Sequence, residues 1–171
     1  SGILGFDFCL RPIGTPFVTV TLPNGDQEVF NLTVTALNGN NCRTSAMPQF
    51  VTLSFVPAGD TQSQLIALDG DGYYDSNADI IYEDIANQTP KDPSRYQLTT
   101  RAGYIYTLDQ NFGVERIEDP NGYTITYDEN GVHHSSGKSV LFERNAEGII
   151  DAVIDPKGLR NSAGPIPQVQ R

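Results

Sequence analysis

Between positions 69 and 79 the chain reads Asp69-Gly70-Asp71-Gly72-Tyr73-Tyr74-Asp75-Ser76-Asn77-Ala78-Asp79, with carboxylates spaced two and then four apart. A hard cation such as Ca2+ wants that pattern: Asp offers oxygen at short reach, and Gly lets the backbone curl so that several oxygens converge. The expected ligands are the side chains of Asp69, Asp71 and Asp75, the backbone carbonyl of Tyr73 and a completing oxygen from Asp79. An EF-hand is not matched, because no Glu stands at the twelfth position and no flanking helices are evident. The competing reading is a solvated acidic turn.

Three other sets of residues could do chemistry. Cys9 and Cys42 fit one disulfide, which would contribute about 3.5 kcal/mol by loop closure and imply an oxidising compartment. Two buried free thiols are the alternative. Tyr104 and Tyr106, and likewise Tyr123 and Tyr127, stand two or four apart, so a strand would place them on sheet faces as a sugar-binding platform or as packing for the next layer. His133 and His134 precede Ser135-Ser136-Gly137 without a Gly-x-Ser-x-Gly elbow, and they read as a polar hairpin end rather than a triad. Glu83 and Asp84 are adjacent, so on a strand they face opposite sides and make a poor catalytic pair.

The composition says what must position these groups. The 171 residues carry 21 Asp and Glu against 11 Lys and Arg, a net charge of −10, which excludes phosphate tracking and so a nucleic-acid partner. No apolar run approaches the ~20 residues of a membrane helix, so membrane insertion is not expected. With 16 Gly, 11 Pro and no Trp, turns are frequent and long helices have little room, which predicts an all-β protein.

Residues 17–22, 28–34 and 50–55 alternate β-branched and aromatic residues with period two and predict strands, the first two joined by the turn Leu22-Pro23-Asn24-Gly25. Residues 57–94 are broken by Gly, Asp, Asn and Ser and read as the most loop-like stretch. Beyond 95, glycines fall at 103, 113, 122, 131, 137, 148 and 158, which apart from the crowded pair at 131 and 137 is one about every ten residues, the rhythm of a six-residue strand and a four-residue turn. Asp119-Pro120-Asn121-Gly122 and Asp155-Pro156-Lys157-Gly158 are the sharpest turns, with Asp bonding its own backbone, Pro at the corner and Gly in the left-handed position. They stand 36 residues apart, and in both the aromatic residue, Tyr106 or Phe142, lies 13 positions before the Asp. Tyr127-Asp128-Glu129-Asn130-Gly131 is a partial copy between them. Such a repeat cannot bury its face alone and must stack on neighbours. The expected organisation is a strand-rich lobe (1–60), an acidic loop region (61–94), an antiparallel hairpin meander (95–160) and a linker or tail (161–171). An open edge is expected at the hairpin 138–154.

At these residues the chain resembles the bacterial Rhs or YD-repeat family, whose repeats centre on a Tyr-Asp dipeptide, a Gly turn and an Asp-Pro-x-Gly turn. The acidic stretch is likewise similar to the calcium loops of thrombospondin type 3 and dockerin-like repeats. The YD-repeat resemblance implies a piece of a large secreted or cell-surface β-protein that forms a shell or scaffold around a toxin, or an adhesive surface. The implied partners are neighbouring repeats of the same parent chain. Two or three repeats do not enclose a cavity. Asp155-Pro156-Lys157-Gly158-Leu159 also fits the core of the self-cleaving segment that ends some family shells, but an Asp-Pro turn explains those residues fully. The function expected is therefore non-enzymatic and structural, with a glycan- or protein-binding module using exposed tyrosines as the alternative and a self-processing or hydrolytic domain as the third.

Overall fold

The computed structural model describes residues 8–9, 17–37, 42–43, 49–75 and 80–162, and these are all-β, with no helix among them. The first sheet is antiparallel and has the order β2-β3-β5-β7-β8-β9. Its strands are β2 (Phe17–Thr21), β3 (Gln27–Ala36), β5 (Gln49–Ala58), β7 (Asp71–Asp75), β8 (Ile80–Asp84) and β9 (Thr89–Pro90). The second runs β17-β16-β15-β14-β13-β12-β11-β10-β6. It comprises β6 (Gln64–Ala67), β10 (Arg95–Thr99), β11 (Ile105–Asp109), β12 (Gly113–Glu118) and β13 (Thr124–Asp128). It continues through β14 (Gly131–His134), β15 (Ser139–Arg144), β16 (Ile150–Ile154) and β17 (Arg160–Ser162). A separate pair joins β1 (Phe8–Cys9) to β4 (Cys42–Arg43).

The stretch 61–94, expected as an acidic loop region, instead carries four strands, and they serve both sheets. β6 adds to β10 as the edge of the second sheet, whereas β7, β8 and β9 return to extend the first. Pairing partners distant in sequence decide this, which local composition does not report.

Period-two burial in β5, where Gln49, Val51, Leu53 and Phe55 are all buried, marks the inward face of the first sheet. Phe30, Phe55, Leu65 and Leu98 form the central cluster, with Val18, Val20, Leu32, Tyr96, Tyr106 and Leu108 packed around it. The core therefore lies between β2, β3 and β5 on one side and β6, β10 and β11 on the other. Two sheets packed face to face need only one hydrophobic side each.

The meander's turns repeat one chemistry. Asp119 and Asp155 each accept two backbone N–H bonds through Oδ1, from Asn121 (2.8 Å) and Tyr123 (2.9 Å) and from Lys157 (2.8 Å) and Leu159 (2.9 Å). Asn145 does the same for Glu147 and Ile149. Gly122 and Gly158 close these turns at φ 85° and 84°, the left-handed region that a Cβ disfavours. The 36-residue spacing is also a structural one. Thr107 pairs with Arg116 and Leu108 with Val114, skipping Glu115; Glu143 pairs with Ala152 and Arg144 with Ile150, skipping Asp151. Both hairpins thus bulge at the same place. The open edge is not the hairpin 138–154, because β17 pairs with β16.

Candidate functional site

Following the register across the second sheet shows one continuous face. Leu98 stands opposite Tyr106, Tyr106 opposite Ile117, Ile117 opposite Ile125, and Ile125 opposite His134. One step along, Tyr127 meets Val132 and Val132 meets Val140; Phe142 and Val153 follow. Because side chains two apart on a strand share a face, Tyr104 and Tyr123 belong to it too. The reverse face carries Thr107, Arg116, Thr126, His133, Ser139 and Glu143 and is polar at its centre, with Ile105, Leu141, Ala152 and Ile154 also on it. The sheet is therefore most clearly amphipathic from β12 to β14.

Its apolar side is covered only in part. Leu98 is 1% exposed beneath the first sheet, whereas Tyr104 and Tyr127 are each 39% exposed and Tyr123 57%. The four tyrosines come together on this one side. The Tyr104 and Tyr106 rings lie 6.5 Å apart and tilted by 34°, and Tyr123 stacks on His134 at 6.0 Å. Burial, then the neighbouring Tyr104 and Tyr127, push the Tyr106 phenol above its ordinary value. Such a surface can stack flat apolar ligand faces or pack against another layer.

The acidic stretch is placed differently from its expectation as a loop. Asp71, Tyr73 and Asp75 lie on strand β7, where four residues span about 13 Å, so the strand does not converge their oxygens on one ion. Asp71 accepts from the Thr52 hydroxyl at 2.9 Å, its cross-strand neighbour on β5. The Tyr73 ring packs edge-on against Phe50 with centroids 5.0 Å apart. Asp69 precedes the strand; its Oδ2 accepts from the Ser94 N–H at 3.3 Å, and its Oδ1 is buried. Asp79 and the segment 163–171 lie outside the described residues. Among the described residues no three of His, Cys, Asp or Glu lie close enough to hold a metal ion. Cys9 and Cys42 are direct register partners on β1 and β4, a backbone separation within the range a disulfide spans.

One arrangement is not apparent from sequence spacing. On the polar face His133 Nδ1 lies 3.0 Å from Ser139 Oγ, and its Nε2 lies 3.3 Å from Asp128 Oδ1. Asp128 also accepts from the Asn130 and Gly131 N–H groups; the Asn130 bond chiefly, and then His133, holds its carboxyl below the ordinary carboxylate value. Ser139 reaches His133 because the two are cross-strand partners, a pairing that only the β14–β15 register creates. The signal available in the sequence was the hairpin turn between them.

Comparison with known protein families, with curated proteins and with solved structures finds no match to this chain.

Proposed function

We propose that the chain is a non-enzymatic structural segment of a large extracellular YD-repeat protein, part of a shell wall or adhesive surface, whose natural neighbours are further repeats of the same parent. The observation that carries this reading is the recurrence of one hairpin, with the same register, bulge and Asp-Pro-x-Gly turn, in a sheet whose apolar face runs past its cover. The last strand supports it as well. In the closing turn the Asp155 N–H donates to the Leu159 carbonyl at 3.0 Å, which phases β17 so that the backbone groups of Arg160 and Ser162 face away from β16. A disulfide between Cys9 and Cys42 belongs to the same extracellular proposal, and alkylation without reductant followed by mass measurement tests it.

The scaffold reading is tested by hydrogen exchange on the intact protein. Protection is expected to be highest in β10 and β11 and to fall steadily towards β17, as in a repeat stack cut short. Uniform slow exchange through β17 would overturn it. The four tyrosines on one face favour glycan binding as the second reading, for which a glycan array should show signal that Tyr104→Ala and Tyr123→Ala abolish.

A further inference from the structure

A groove of about 600 Å3 runs between β2 and the start of the meander. Its wall is the whole of β2, Phe17 to Thr21, and its floor is Tyr96, Leu108 and Val114. In the β2–β3 turn the Leu22 N–H donates to the Asp26 carbonyl at 2.8 Å, and the Gly25 N–H donates to the Leu22 carbonyl at 2.9 Å. Antiparallel bonding alternates, so Val20 and Val18 exchange bonds with β3, and the N–H and C=O groups of Phe17, Thr19 and Thr21 point outward. Among the described residues no strand pairs with that side of β2. A row of backbone donors and acceptors thus borders an apolar floor. We propose that this corner binds an extended strand of a partner polypeptide, one with apolar residues at alternate positions and a basic residue at one end.

Each part of that chemistry has its source in the groove. A strand set about 4.8 Å out from β2 bonds to Thr19 and Thr21 while its inward side chains meet Leu108 and Val114 and reach towards the half-buried Ile117 and Ile125. It thereby continues the sandwich interface that β2, β3 and β5 already make. The basic end is called for by Asp92 and Asp109, which line the groove beside the β11–β12 turn. Asp92 is exposed and has no ion pair among the described residues, whereas Asp109 already accepts from the Asn111 and Phe112 N–H groups. A second copy of the chain is disfavoured by its net charge of −10.

The probe is a fluorescent synthetic peptide, Lys-Val-Thr-Val-Thr-Val-Thr with blocked ends, titrated into the intact protein and followed by anisotropy, with exchange of the Thr19 and Thr21 amides measured alongside. Saturable binding is expected below about 1 mM, together with slowed exchange at both amides. Thr19→Pro removes an outward N–H without touching the β3 ladder and should weaken binding about tenfold or more. Methylating the peptide's alternate amides should do the same, which keeps the test independent of how that variant folds. Asp92→Asn, or Lys→Glu in the peptide, should weaken binding several-fold. The proposal is overturned by the absence of saturable binding, by binding that is indifferent to amide methylation, or by concentration-dependent protection of Thr19 and Thr21 without peptide, which would assign the edge to a second copy.

Discussion

The same sheet face lives in two environments. Under the first sheet, Leu98 and Tyr106 sit against Phe30, Phe55 and Leu65, and the face is a core. From Ile117 to Val153 the register, the turns and the apolar pattern continue while the cover stops. The difference teaches that strand formation in the meander depends on hairpin turns and cross-strand pairing, and that burial is added only where a second layer exists. Local chemistry sets the architecture, and contact between layers sets most of its stability.

That comparison is sharpest in the core. Leu98→Ala should destabilise the protein by about 2 to 5 kcal/mol in chemical denaturation, because it empties a filled site. Ile125→Ala, on the open part, should cost about 1 kcal/mol. Equal costs would mean that the open part is covered in solution. Glycines make a second contrast, read by the same denaturation. A Cβ at Gly131 would overlap the Val140 carbonyl oxygen, so Gly131→Ala should cost about 3 kcal/mol, whereas nothing lies within 4 Å of one at Gly122. Gly122→Ala meets only the left-handed backbone penalty of about 1 kcal/mol.

Acid provides a gentler probe of the turns. Asp84 is held below the ordinary carboxylate value of 3.8 by hydrogen bonds from Asn87 and Ala86, and Asp128 chiefly by the Asn130 N–H. A carboxyl lowered in the folded state contributes its stabilisation in full above the unfolded value and loses it as pH falls through the folded one. Thermal melts should therefore be insensitive to these two groups from pH 5 to 7 and decline below about pH 4, with Asp128→Asn flattening part of the decline. The smallest effect is expected from calcium. With Asp71 and Asp75 spread along β7, adding calcium or chelator should move the melting temperature by less than about 1 °C; a larger rise lost in Asp69→Asn would instead mean that the segment beyond Asp75 brings oxygens to Asp69.

Much of the fold was legible in the sequence wherever structure is local. Alternation at 17–22, 28–34 and 50–55 located β2, β3 and β5, and the Asp-Pro-x-Gly spacing located the equivalent hairpins, because turn chemistry is written in adjacent residues. What pairing across the chain decides was not legible. Asp71-Gly72-Tyr73 has a calcium-loop composition but lies between β5 and β8, and nothing nearby in sequence signals that. The tyrosine stripes were expected on sheet faces; their gathering on one face needed the register of three hairpins. His133 and Ser139 meet for the same reason.

The path through β6 has a consequence for the order of synthesis. The chain leaves the first sheet after β5, contributes Gln64–Ala67 to the second, and returns for β7 to β9 before β10 exists to receive that strand. On the ribosome the first sheet can assemble its strands by Pro90, yet β6 has no strand to pair with and Phe30 no complete roof until Leu98 and Tyr106 emerge. The amino-terminal half therefore waits, apolar side exposed, for the first hairpin of the meander, and a pause in translation before Tyr106 would leave it open to the wrong neighbour.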